Sequence, residues 1–177
     1  MTDIDGRMPS LADLPSALIR ATIFVRDLDR ATGFYRALGL SETYFEGTLQ
    51  HPSATAILGF DDHRPFRIRI VKRPGPNYGM VGLFEMDPEQ TGEAVPAATG
   101  PARFGEVALV FYVTDIHATL TALRTAGSSW SPEPENFVME HRAQLECCLR
   151  DCDGVLMNLV ETDPAQQERT GAELDYR

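Results

Sequence analysis

The chain has 177 residues, 43% of them hydrophobic, so it can bury a core as one domain or as two small, closely packed ones. A formal net charge of −10 opposes attraction to phosphate backbones and anionic lipid, which argues against nucleic-acid and membrane-surface partners. The sequence shows no signal-peptide pattern and no apolar run of spanning length, so we expect a cytoplasmic protein.

The first predicted element is a buried strand, and it begins a unit that occurs twice. The runs IRATIFV (19–25) and EVALVFYV (106–113) are rich in β-branched and aromatic residues, which favours buried strands. Asp27 and Asp115 follow them, 88 residues apart, where a carboxylate can cap the first free N–H groups of a helix. The spacing therefore indicates an internal repeat.

A helix with one apolar stripe is predicted after each of these aspartates. The stripe residues recur at three- and four-residue steps. They are Leu28, Ala31, Phe34, Tyr35 and Leu38 in the first copy, and Ile116, Leu120 and Leu123 in the second. Gly39 and Gly127 should end the helices, because glycine adopts a left-handed conformation without a Cβ clash.

Short β-like runs separated by turn residues complete each copy. They span 41–47, 54–60, 66–72 and 79–86 in the first copy, and 129–138, 143–151 and 155–162 in the second. The fold class is therefore α+β. The predicted organisation is an N-terminal extension (1–17), a first βαβββ module (18–87), a linker (88–103), a second module (104–162) and a polar tail (163–177).

The three cysteines, Cys147, Cys148 and Cys152, form an odd and clustered set. This pattern argues against a disulfide framework and fits a reducing compartment. Their spacing does not match that of a structural zinc site.

Two motifs resemble the vicinal oxygen chelate superfamily, which comprises glyoxalases, bleomycin-resistance proteins and extradiol dioxygenases. Phe34 and Tyr35 precede a Leu-Gly-Leu sequence (38–40), and the turn at 151–154, DCDG, is similar to the D-P-D-G turn of the family. The resemblance covers residues 18–161. It implies two βαβββ modules whose curved mixed sheets enclose a cavity, and it implies a homodimer.

The resemblance also implies where a divalent metal would bind, namely at a His in the first strand and a Glu in the last strand of a module. Here those positions hold Arg20 and Ala108 in the first strands, and Gly82 and Asn158 in the last. A guanidinium stays charged and cannot coordinate a cation, so no cofactor is predicted, and a relocated metal remains the alternative. Glu85 would need a one-residue slip, which the alternation of strand faces opposes.

Alternation also assigns the side chains that face the predicted cavity. They are Arg20, Thr22, Phe24, Met80, Gly82, Phe84, Glu106, Ala108, Val110, Tyr112, Leu156, Asn158 and Val160. These residues either line a small-molecule pocket or simply fill the space as core. The predicted ligand-binding set is Arg20, Thr22, Phe24, Arg69, Phe84, Glu106, Tyr112 and Asn158.

Arg67 and Arg69 alternate with apolar residues and should share one face of a strand. In one interpretation they join Arg20 to bind an anion such as a carboxylate. In the other, they lie on the solvated side of the strand, and Arg20 pairs with Glu106.

The sequence does not assign a catalytic residue, although three candidates exist. His141 lies in a loop that either reaches the pocket mouth as a proton-transfer group or is simply exposed. Tyr112 and Glu106 are the other candidates. Cys148 shares a face with Glu146, so it either approaches the cavity or is a small buried residue.

Three functions are compatible with these features. The first is a binding or sequestering protein for a small carboxylate or aromatic compound. The second is a lyase, isomerase or dioxygenase of the same superfamily that acts without metal or with a relocated metal. The third is a scaffold used for partner contacts. The fold by itself does not choose between them.

Overall fold

The computed structural model describes residues 18–61, 63–87, 98–139 and 142–162, apart from the side chains of Met139 and Arg142. The predicted N-terminal extension, most of the linker and the polar tail lie outside these residues, so the domain boundaries stay predictions. Among the described residues, no helix is long and apolar enough to cross a membrane.

The described residues form eight strands and three helices. The strands are β1 (Arg20–Val25), β2 (Glu42–Leu49), β3 (Phe66–Lys72), β4 (Met80–Glu85), β5 (Leu109–Val113), β6 (Glu135–Met139), β7 (Arg142–Arg150) and β8 (Leu156–Glu161). The helices are α1 (Leu28–Ala37), α2 (Ser53–Ile57) and α3 (Ile116–Thr125).

The strands form two four-stranded mixed sheets, with the orders β1-β4-β3-β2 and β5-β8-β7-β6. In each sheet the first strand of the module pairs parallel with the last, and the other pairs are antiparallel. The predicted α+β class and the two βαβββ modules are therefore confirmed. The sheets are curved but not closed.

The helices begin and end at the predicted capping residues. The Asp27 carboxylate accepts hydrogen bonds from two backbone N–H groups of the first turn of α1, at 3.0 and 2.9 Å. The Asp115 carboxylate accepts one such bond at the start of α3, at 2.8 Å. Gly39 and Gly127 follow the helices with φ of 111° and 96°, in the left-handed region that glycine tolerates best.

A second carboxylate caps each helix from the last strand of the same module. Glu85 accepts a hydrogen bond from the backbone N–H of Leu28 at 2.9 Å, and Glu161 does the same for Ile116 at 2.8 Å. Anionic groups are stabilised at helix N-termini, where free N–H groups and the helix dipole coincide. This contact explains why Glu85 points toward the helix side of the sheet.

Three predicted strand segments differ in the structure. Residues 53–57 form the helix α2 instead of a strand, and Ala54 and Leu58 pack against the apolar cluster that contains Phe66 and Ile68 of β3. The strand predicted from Glu106 begins at Leu109. The strand predicted over 129–138 is β6, which begins at Glu135.

The two modules share one hydrophobic core on the helix-bearing sides of their sheets. The core joins α1 and α3 with the strand residues that face them. At the centre, the buried Tyr35 hydroxyl donates to the Asp151 carboxylate at 2.8 Å, which links the modules. A separate apolar cluster lies on the other side of the first sheet and is built from Phe66, Ile68, Phe84 and Met86.

Candidate functional site

We call the face of each sheet that lies opposite its helix the open face. Cross-strand register and alternation place a defined set of side chains on each open face. In the first module these include Arg20, Thr22, Phe24, Phe45, Phe66, Ile68, Ile70, Lys72, Met80, Gly82 and Phe84. In the second they include Val110, Tyr112, Glu135, Phe137, Gln144, Glu146, Cys148, Arg150, Leu156, Asn158 and Val160.

The Arg20 side chain lies across Gly82 on the first open face. A Cβ atom at position 82 would lie only 2.9 Å from Arg20 Cδ and 3.3 Å from its Nε. Real Cβ contacts at 2.9 Å essentially do not occur, so glycine at this position makes the path of Arg20 possible. Within the described ranges, the Arg20 guanidinium has no hydrogen-bond or ion-pair partner.

Aromatic rings lie next to this arginine. The Phe84 ring would be 3.4 Å from the same Cβ position, and it meets Phe24 edge to face with centroids 6.0 Å apart. The Phe66 ring also packs against Phe84, with ring centroids 5.7 Å apart. An unpaired cation beside an aromatic surface suits a ligand that combines an anionic group with an apolar or aromatic part.

The expectation that Arg69 joins Arg20 is corrected by the structure. Arg67 and Arg69 do share a face, but it is the helix side of β3. Arg69 pairs there with Asp29 at 3.0 Å and with Glu46, and these partners raise its pKa, the Glu46 contact most. Alternation predicts the common face, and the acidic residues of α1 and β2 determine which face it is.

Glu106 does not pair with Arg20 either. Its carboxylate accepts from the buried Arg150 guanidinium and from the Arg103 backbone N–H, both at 2.7 Å. The hydrogen bond from Arg150, more than any other contact, lowers the pKa of Glu106. Glu106 is thus held as a paired carboxylate at the edge of the second open face.

A polar cluster lies on the second open face around Glu146. Its carboxylate accepts from the Asn158 amide at 2.8 Å and from the Gln144 amide. Glu135 lies directly opposite Glu146 on the neighbouring strand. Sequence reasoning selected Asn158 but neither Gln144 nor Glu135, although alternation along β6 and β7 could have found them.

The remaining predicted site residues are placed as follows. Thr22 lies beside Gly82 on the first open face, and Tyr112 is half exposed on the second. His141 lies outside the described residues. In the described part of the chain, no three His, Cys, Asp or Glu side chains converge as metal ligands would.

The residues at the family's metal position do not fit a divalent ion. The cationic Arg20 side chain occupies the space above Gly82. Asn158 uses its amide to donate to Glu146. A guanidinium repels a metal cation and offers it no lone pair. No step of the chemistry is therefore assigned to a metal at this position.

The three free thiols differ in exposure, which predicts their order of alkylation. Burial is the main cause that raises the pKa of Cys147 to about 11 and that of Cys152 to about 12. Contrary to the expected burial, Cys148 lies on the open face and is exposed, although partial burial of its thiol also raises its pKa. Because the thiolate is the reactive species, we expect iodoacetamide at about pH 8 to label Cys148 first. Peptide mass spectrometry over time checks this order, and equal rates at the three sites would contradict it.

Comparison with known proteins identifies a matching family and solved structures with a similar fold. A family model described as the glyoxalase/bleomycin resistance protein/dioxygenase superfamily matches residues 17–159. No curated protein matches the chain. Among solved structures, a glyoxalase family protein from Bacillus cereus is similar with a TM-score of 0.68 and 19% identity, over 86% of this chain and 98% of that chain.

A second similar structure is a mutant of the fosfomycin resistance protein FosX from Listeria monocytogenes, in complex with Mn(II) and a dihydroxypropylphosphonic acid. It has a TM-score of 0.53 and 12% identity, over 88% of this chain and 98% of that chain. At these identities the likeness concerns the fold.

Proposed function

The chain belongs to the glyoxalase/bleomycin resistance protein/dioxygenase superfamily, and on this premise we propose that it binds and sequesters a small carboxylate or aromatic compound on the first open face. Arg20 would contact the anionic group, and Phe24 and Phe84 would contact the apolar part. The similar FosX structure contains a small phosphonic acid, which supports an anionic ligand on this fold.

The absence of a partner for Arg20 among the described residues is the observation that carries this proposal. The neighbouring arginines Arg67 and Arg69 form ion pairs with carboxylates of the same chain. Arg20 instead lies half-buried on the surface of a curved sheet, with no partner among the described residues. A planar guanidinium in this position can form two parallel hydrogen bonds to a carboxylate.

An enzyme that acts without metal is the alternative, and it has less support. Glu106 is a weaker base than a free carboxylate, because Arg150 lowers its pKa. Tyr112 and His141 remain as proposed proton-transfer groups, but no described contact activates Tyr112. Binding without turnover is therefore the function that the described side chains support best.

Replacement of Arg20 by alanine tests the proposal. Small carboxylates and aromatic acids would first be screened by thermal shift, and hits measured by calorimetry. Since a hydrogen bond to a charged group contributes about 1.5–3 kcal/mol, we expect Arg20→Ala to weaken binding roughly 10- to 100-fold. Arg36→Ala is the matched control, because this exposed arginine lies on α1. Unchanged affinity in Arg20→Ala would exclude Arg20 as the anion contact.

Gly82→Ala gives a second, independent variant. The added methyl would lie 2.9 Å from Arg20 Cδ, so the arginine must move while its charge stays. Weaker binding in both variants would support the conclusion that ligand binding requires the position of Arg20 and not only its charge.

We expect a homodimer, because apolar side chains on both open faces are left exposed in the single chain. We also expect the protein in the cytoplasm, where its three free thiols would stay reduced.

A further inference from the structure

The connection between β2 and β3 folds back over the first open face and covers part of it. We call residues 50–60, which contain α2, the covering segment. Three apolar side chains of this segment pack against the apolar cluster of the face, namely Ala54, Leu58 and Phe60. Beneath it, Phe66 and Ile68 are each only 4% exposed. Because the chain itself occupies this part of the face, a ligand cannot bind there without displacing the segment.

Beside the covered part, aromatic surface remains exposed around Arg20. Phe24 on β1 and Phe45 on β2 lie on the two outer strands of the sheet and are 50% and 45% exposed. Between these strands, Gly82 contributes no side chain, and Arg20 lies over it. The uncovered part of the face therefore combines a cation with ring surface on either side.

Phe84 marks the boundary between the two parts of the face. Its ring lies 3.4 Å from the Cβ position of Gly82, and its centroid is 5.7 Å from that of the covered Phe66. Phe84 follows Gly82 by two residues, and such neighbours on one face of a strand are about 7 Å apart. A ligand whose anionic group meets Arg20 above Gly82 therefore has roughly 7 Å along the strand before it reaches the covering segment.

We propose that the covering segment restricts the ligand of the first open face to a carboxylate that carries a single aromatic ring. The inference rests on the proposed function, because it assumes that Arg20 contacts the carboxylate. One benzene ring with its carboxylate fits the uncovered stretch, whereas a second ring in line with the first exceeds it. Edge-to-face and offset contacts with Phe24 and Phe84 favour an aromatic ring over a saturated one.

Leu58 and Phe60 are the specificity-determining residues in this arrangement. A longer acid must either displace them from the apolar cluster or leave its second ring in water. Displacing a leucine or phenylalanine side chain from apolar surroundings weakens binding on the order of tenfold or more. The second ring therefore reduces affinity here, although additional apolar surface ordinarily increases it.

Calorimetry with benzoate and para-phenylbenzoate tests the restriction in the wild-type protein. The two acids share the carboxylate and the first ring, and they differ only by a second ring in line with it. We expect para-phenylbenzoate to bind at least about tenfold more weakly than benzoate. Binding of para-phenylbenzoate within about threefold of benzoate, or tighter, would overturn the restriction to one ring.

Truncation of the covering segment tests the cause of the restriction. A double variant, Leu58→Ala with Phe60→Ala, should reduce the difference between the two acids from about tenfold to less than about threefold. Ile57→Ala is the matched control, since Ile57 belongs to the same segment but is 83% exposed, and it should keep the wild-type difference. An unchanged difference in the double variant would overturn the role of the segment. Circular dichroism establishes that the double variant is folded, and if it is not, the wild-type comparison decides.

Arg20→Ala separates this inference from the proposed function. If Arg20→Ala weakens the binding of benzoate while wild type accepts both acids equally, the proposed function stands and the restriction to one ring is wrong. If neither acid binds in a way that depends on Arg20, both proposals fail.

Discussion

Replacement of Arg150 by methionine is expected to lower the free energy of unfolding by about 3 kcal/mol. The Arg150 side chain is 1% exposed and pairs with Glu106 at 2.7 Å. It also donates to the backbone carbonyls of Gly100, Pro101 and Gly154, at 2.8, 2.9 and 2.8 Å. Methionine fills part of the volume but leaves all four acceptors without this donor, which costs more than the lost attraction alone.

The measurement is urea unfolding, compared with Arg103→Met as a control. Arg103 is exposed, and among the described residues its guanidinium makes one contact, at 3.4 Å to a backbone carbonyl, so its loss should change stability by less than about 0.5 kcal/mol. For Arg150 we expect a destabilisation at the lower end of the range for broken buried ion pairs, because the Glu106 side chain is 25% exposed. Equal stability of the two variants would show that Arg150 does not hold residues 98–106 against the second sheet.

The sequence predicts the local features of this fold well. Asp27 and Gly39 delimit α1 because capping depends on residues within one helical turn. The period of two along strands predicts that Arg20 and Gly82 share one face, and the structure brings them into contact. In these cases the sequence pattern and the contact that it predicts lie within a single helix or a single pair of strands.

Long-range pairing could not be predicted from the same patterns. Alternation indicates that Arg67 and Arg69 share a face, but only the position of Asp29 on α1 shows that it is the helix side. In the sequence Arg150 resembles an ordinary polar residue of a strand, because three of its four partners lie 44 to 50 residues earlier in the chain. Burial and partner identity depend on tertiary packing, which periodicity does not encode.

The second large effect is expected at Asp151, which links the two modules. Its side chain is fully buried and accepts from the Tyr35 hydroxyl at 2.8 Å and from the backbone N–H groups of Asp153 and Val155 at 2.9 and 2.8 Å. Asp151→Ala removes all three bonds and leaves the Tyr35 hydroxyl buried without a partner. We therefore expect a loss of about 3–5 kcal/mol in the free energy of unfolding.

A double-mutant cycle with Tyr35→Phe isolates the contact between the modules. Tyr35→Phe removes the hydroxyl and keeps the ring in the core, so it should cost about 1–3 kcal/mol. If the hydrogen bond couples the two residues, the loss of unfolding free energy in the double variant should be smaller, by about 1–2 kcal/mol, than the sum of the losses in the two single variants. Additive effects would mean that Asp151 acts only through the turn at 151–155.

The same hydrogen bond predicts how stability depends on alkaline pH. Burial, and next the charge of Asp151, raise the pKa of Tyr35 well above its usual value near 10. As pH rises past about 10, the unfolded chain releases the tyrosine proton while the folded chain keeps it. The unfolded state then binds fewer protons, so stability should fall with rising pH, and it should fall less in Tyr35→Phe. Urea unfolding at about pH 9 and 11 measures this difference, and equal slopes in both proteins would contradict a buried, protonated Tyr35.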